Sequence, residues 1–168
     1  MASIVADFEF GPSLHLAATR PATTPAEPPT SPFLWVDGDP RPAEVLRAFE
    51  RSGGVQDGNE VARMLRRRHA QPISTLARWI VDAHVVSFAW RGDYLLPVFQ
   101  FDQREATVRP QVASVLDVLD GRLKDIDLAA WFALPHELLD GAAPVDVIGR
   151  DLHAVVDAAR AERRTGRA

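Results

Sequence analysis

Trp131-Phe132-Ala133-Leu134-Pro135-His136-Glu137-Leu138-Leu139-Asp140-Gly141-Ala142-Ala143-Pro144-Val145-Asp146-Val147-Ile148 sets two proline-opened helical turns around one glycine, directly after an aromatic helix end. Proline fits the first turn of a helix, where its missing N–H would lack an intrahelical partner anyway, and glycine takes the left-handed conformation that ends one. The stretch reads as a helix, turn, helix corner. It contains no nucleophile, metal cage or phosphate loop, so its apolar and shape-defining residues point to packing or partner binding rather than chemistry.

Helical periodicity surrounds this corner. Upstream, Val112, Val115, Leu116 and Leu119 form one stripe closed by Gly121, and Leu128, Trp131 and Phe132 form a second, with Asp125 as its expected cap. Downstream, Asp151 is placed to cap a last helix whose buried stripe would be Leu152, Val155, Val156 and Ala159. Its end, Arg160-Ala161-Glu162-Arg163-Arg164, carries cations where the helix dipole favours them.

Further upstream the pattern changes twice. Val45, Leu46 and Phe49 have helical spacing and Gly53-Gly54 stops it. Asp57 caps the next helix, with Glu60 three residues on as in a capping box, and Val61, Met64 and Leu65 give its apolar face. After Pro72, Ile73, Leu76, Ala77 and Ile80 recur at i, i+3, i+4 and i+7. Beyond His84 the residues are strand formers: the runs at 85–90 and 94–99 flank Arg91-Gly92-Asp93 and predict a hairpin, with Pro97 marking an edge strand.

Helix, short turn, helix and hairpin, with arginines on the helices and the hairpin tip, is the layout of a winged helix-turn-helix. Arg63, Arg66, Arg67, Arg68, Arg78, Trp79 and Arg91 are the candidate contacts to double-stranded DNA, with Arg78 and Trp79 off the expected core stripe and Arg91 at the wing tip. The plainer explanation for Arg66-Arg67-Arg68 is a solvated helix end, where cations gain from the dipole with no ligand present.

The 168-residue chain carries a formal net charge of −4, unevenly divided. Between Glu60 and Arg91 six arginines face two acids, a net of +4, whereas from Asp117 to Arg160 nine acids face four basic residues, a net of −5. Such a division suits a front half that meets phosphates and a rear half that holds a polypeptide. Cysteine is absent, which excludes a disulfide framework, a Cys-based zinc site and a thiol nucleophile, and makes a reducing cytoplasm the simplest home. No apolar run near the N-terminus resembles a signal peptide or membrane span, because Asp7 and Glu9 soon follow Ile4-Val5.

Eight of the 13 prolines fall before residue 43, among Ala and Thr, which favours an extended or flexible arm over a core. Two apolar islands interrupt it, at 4–10 and 33–36, placed to dock on the folded part or on a partner. The five histidines are dispersed without the i, i+4 spacing of a helical metal site, and neither a Gly-x-Ser-x-Gly elbow nor a Gly-rich phosphate loop occurs. No cofactor, no metal and no catalytic residue is expected.

Asn59-Glu60-Val61-Ala62-Arg63-Met64-Leu65, followed by Leu76-Ala77-Arg78-Trp79-Ile80, resembles excisionase-like and MerR-like winged helices over about 40 residues. The segment from Tyr94 to Arg164 resembles the toxin-binding domain of the MbcA/ParS/Xre antitoxins. The family pattern is Trp, Pro, Leu-Gly-Gly, Pro and an acidic residue before an aliphatic pair, and Trp131, Pro135, Leu139, Gly141, Pro144 and Asp146 stand in those places. His136 stands where the family often has Asn, and Asp140 replaces the first Gly of the pair. The resemblance implies a non-catalytic antitoxin that binds and neutralises a RES-type toxin, an enzyme acting on NAD, and represses its own promoter. It would make Trp131, Pro135, His136, Leu139, Gly141, Pro144 and Asp146 the partner-binding residues. The front half differs from the all-helical DNA-binding domain usual in that family.

The expected fold is therefore mainly α with one small β-hairpin: a Pro-rich arm over 1–42, a winged helix-turn-helix-like unit over 43–102, and a small helical toxin-binding-like domain over 103–168. The protein is expected to be a cytoplasmic homodimer. The alternatives are a solitary DNA-binding regulator that dimerises through its C-terminal domain, and a structural adaptor.

Overall fold

Helix α1 (Arg41–Phe49) opens residues 41–165, which a computed structural model describes. The Pro-rich arm, apart from Arg41 and the buried Pro42, lies outside the described residues, as do its apolar islands. Gly53 and Gly54 end the helical stretch at φ +103° and +75°, and the Gly54 N–H reaches back to the Phe49 carbonyl at 2.8 Å. The chain then enters β1 (Val55–Asp57), a strand that periodicity does not announce because it is only three residues long.

Asp57 closes β1 and caps α2 (Gly58–Leu65), its Oδ1 accepting the N–H groups of Asn59 at 2.8 Å and Glu60 at 2.9 Å. Glu60 does not complete a capping box; both its oxygens take the Arg63 guanidinium at 2.8 Å instead. Helix α3 (Pro72–Val81) follows. Strands β2 (Phe88–Trp90) and β3 (Asp93–Pro97) are joined by Arg91-Gly92, both at positive φ (+52° and +90°), as the two-residue turns that match strand twist require.

The sheet is antiparallel with order β1-β3-β2, Val55 facing Pro97 and Phe88 facing Leu95. Pro97 therefore does not mark an edge strand. It lies at the last position of the central one. A second hairpin, β4 (Phe101–Asp102) with β5 (Thr107–Val108), leads to four further helices: α4 (Pro110–Leu119), α5 (Asp125–Ala133), α6 (Pro144–Val147) and α7 (Leu152–Thr165). The described residues are thus mainly helical with a small antiparallel sheet. None of their helices is long and apolar enough to cross a membrane.

Asp151 caps α7 as its position suggests, accepting the Ala154 N–H at 3.0 Å. Asp125 does not cap α5. It is the helix's own first residue at φ +49°, preceded by Lys124, which makes no side-chain capping bond.

Two hydrophobic clusters form. The larger one joins Val45, Phe49, Phe88 and Phe99 to Val115, Phe132 and Val155, so α1 and β2 share a core with the rear helices across the expected boundary at residue 102. The smaller one gathers Val61, Leu65, Leu76, Val85, Leu96 and Phe101. Helix α3 packs mainly on α2, and this one-sided support buries Leu76 while leaving Ile73 67% exposed and Ala77 exposed, contrary to the core role their spacing suggests. On α7 the fully buried set is Val155, Ala158 and Ala159, with Leu152 and Val156 half-buried.

Candidate functional site

The corner after α5 is built by backbone conformation. His136 is half-buried and caps a short 3-10 turn, Glu137–Leu139, by accepting the Leu138 N–H on Nδ1 at 3.2 Å. An Asn side chain could accept the same bond. Asp140 and Gly141 then both take left-handed conformations, at φ +54° and +78°, and the Gly141 N–H returns to the His136 carbonyl at 3.1 Å. Asp adopts this region more readily than most side chains, so a residue other than Gly at 140 is compatible with the turn. The Pro144-led α6 then resumes the helical direction, the Ile148 N–H bonding to the Pro144 carbonyl at 2.9 Å.

Burial divides the seven corner candidates. Trp131, Leu139 and Pro144 are buried and hold the corner together. Trp131 meets Phe132 edge-on at 4.9 Å and His136 at 5.7 Å, and its buried indole Nε1 has no hydrogen-bond partner. Pro135, Gly141 and Asp146 instead face outward and line one groove of about 490 Å³. The opposite wall of that groove is α1, through Glu44, Arg47 and Ala48, together with Arg51 of the 3-10 turn Glu50–Ser52 that follows it.

Residue spacing in the corner does not point to these residues of α1 and the turn after it. Arg47 donates from Nε to the Ala43 carbonyl at 3.2 Å, and neither it nor Arg51 forms an ion pair among the described residues. Leu138, 60% exposed beside the groove-forming turn, is the large apolar side chain the rear helices leave to solvent among the described residues.

The basic candidates differ in their surroundings. Arg66, Arg67 and Arg68 share the turn after α2 and are all exposed, but Arg68 is engaged with Glu105 at 3.2 Å and Arg63 with Glu60. Arg91 sits at the hairpin tip with its guanidinium 5.3 Å from the Trp90 ring centre. Arg78 is exposed on α3, about 140° around the helix from Ile73 at about 100° per residue. Trp79 is turned inward rather than outward: half-buried, it meets His69 edge-on at 5.6 Å.

The groove between α2, α3 and the hairpin tip is lined by Ile73, Ala77, Ile80 and Tyr94, with Asp57 and Asp93 at its rim. Its surface is apolar and acidic, not basic. Among the described residues no group of three His, Cys, Asp or Glu side chains could hold a metal ion. No protein-family model, curated protein or solved structure matches the chain.

Proposed function

We propose that this protein is a non-catalytic, antitoxin-like regulator that holds a partner polypeptide in the groove between α1 and the Pro135–Asp146 corner. The observation that carries the proposal is the pair of consecutive left-handed residues, Asp140 and Gly141, at the apex of that corner. The conformation provides a reason for Gly in the motif that the sequence shares by resemblance, and it accommodates the Asp found here. A RES-type toxin is the partner that the resemblance implies. Co-expression with the product of the adjacent gene tests it: a stable complex is expected, and its loss when Asp146 is reversed to Lys.

A DNA-binding role for the front half belongs to the same proposal. What supports it is the element order: α1, β1, α2, α3, β2, turn, β3, with sheet order β1-β3-β2, follows the order of a winged helix-turn-helix. Arg66, Arg67 and Arg78 are exposed and form no ion pair among the described residues, leaving them available to phosphates. Neutralising all three is expected to weaken binding in a gel shift and to flatten its dependence on salt, because fewer counterions are released.

One observation favours a second reading, the structural adaptor. The side of α3 nearest the hairpin tip is apolar and rimmed by Asp57 and Asp93, which suits protein better than phosphate. Absence of DNA binding at low salt, together with a stable protein complex, would select the adaptor.

A further inference from the structure

A cavity of about 260 Å³ lies between α3 and α4, lined by Trp79, His84, Val108, Ala113, Leu116 and Asp117. It sits at the seam of the two hydrophobic clusters: Leu116 belongs to the larger, Trp79 packs on the smaller, and Val108 touches both. Ala113, Leu116 and Asp117 occupy positions i, i+3 and i+4 of α4 and so present one helix face. The indole of Trp79 is oriented by His69, whose Nε2 lies 3.1 Å from the Ala106 carbonyl oxygen. Apolar walls with a few convergent polar groups at such a seam are the general form of a small-molecule site.

We propose that this cavity binds a small organic cation with an apolar ring. Size and charge both enter the inference. An apolar cavity of about 150 Å³ accommodates benzene, so this one has room for a ring and a short arm. The ring would lie against Val108, Ala113 and Leu116, and the ammonium would meet Asp117 and Trp79. Asp117 forms no ion pair among the described residues, and an indole face attracts a cation through its quadrupole. The same carboxylate repels an anion of equal shape.

Titration of the full chain with phenethylammonium, phenylacetate and ethylbenzene, followed by the indole N–H resonances in heteronuclear NMR, tests the site. The Trp79 signal is assigned through its disappearance in Trp79→Phe. Phenethylammonium is expected to shift that signal saturably below about 10 mM, with phenylacetate silent. Asp117→Asn, at an exposed position, is expected to weaken the cation about tenfold. Ala113→Phe should abolish the response by filling the cavity. A Trp79 signal unmoved by phenethylammonium, an equal response to phenylacetate, or an affinity unchanged in Asp117→Asn would overturn the proposal even if Ala113→Phe does not fold.

Discussion

The side chain of Gln100 pairs with the backbone of Val86 as a neighbouring strand would: its Oε1 accepts the Val86 N–H at 2.7 Å and its Nε2 donates to the Val86 carbonyl at 2.8 Å. A third bond runs from Nε2 to the Pro97 carbonyl at 3.0 Å, and Gln100 is fully buried. One amide thus satisfies three backbone groups at the end of the sheet. Gln100→Leu keeps the approximate volume but leaves those groups unpaired, at about 1–3 kcal/mol each for buried donors and acceptors. A loss of about 3 kcal/mol or more in urea-unfolding free energy is expected; a loss below about 1 kcal/mol would mean water replaces the amide there.

Helix α3 ends in a Schellman arrangement with the wrong residue for it. The His84 N–H bonds to the Trp79 carbonyl at 2.8 Å and the Ala83 N–H to the Ile80 carbonyl at 3.2 Å, while Ala83 takes φ +54°. A left-handed conformation costs a residue with a Cβ about 1–2 kcal/mol. Ala83→Gly is expected to stabilise the protein by up to about 1 kcal/mol after glycine's entropic penalty, read as a higher melting temperature, and Ala83→Val to lower it.

The apex of the corner gives a paired expectation. Gly141 has open space where a Cβ would stand but a φ of +78°, so Gly141→Val suffers from backbone conformation rather than crowding. It should lose about 1–2 kcal/mol or more, whereas Asp140→Gly, at φ +54°, should be neutral or stabilising. Equal effects of the two changes on the melting temperature would show that the left-handed pair does not set the corner's stability.

Two carboxylates give pH effects of opposite sign. Asp102 accepts the N–H groups of Glu105 at 3.1 Å and Arg104 at 2.9 Å, and these bonds hold its carboxyl below the usual carboxylate value. Burial pushes the Asp125 carboxyl up, partly opposed by Lys124. A carboxyl lowered on folding contributes stability above its unfolded pKa and loses it as pH falls through the folded one; a raised carboxyl contributes below the unfolded pKa and loses it as pH rises through the folded one. Asp102→Ala is therefore expected to lower the melting temperature at about pH 7, and Asp125→Asn to raise it, with both differences shrinking toward about pH 3. Differences that do not vary with pH would assign both effects to shape alone.

Where local chemistry decides an element, the sequence is legible. The capping oxygens of Asp57 and Asp151, the Gly53-Gly54 stop and the Arg91-Gly92 turn act within a few residues of themselves, and all four are visible as local signals. What depends on distant partners is not. β1 exists because Val55, Gln56 and Asp57 pair with β3 some 40 residues away, and that pairing also moves Pro97 from an edge to the centre of the sheet. Ile73 and Ala77 have core spacing, yet among the described residues both stay exposed.

The candidate site divides the same way. The corner's shape is written in Pro135, Gly141 and Pro144, but its groove needs Arg47 of α1 and Arg51 of the turn after it, more than 80 residues earlier. The arginines of the front half show why charge counted along a chain does not define a surface: Glu60 and Glu105 engage two of them, and Arg78 lies well around α3 from the hairpin-side groove.

The most direct test of a polypeptide-holding groove is the mass, by size-exclusion chromatography with light scattering, of the full chain mixed with the adjacent gene's product. The wild-type chain should form a stable complex at about 10 μM, and Asp146→Lys and Arg51→Glu, both at exposed positions, should abolish it without moving the melting temperature. No complex with the wild-type chain, or a complex of undiminished affinity with both variants, would contradict it.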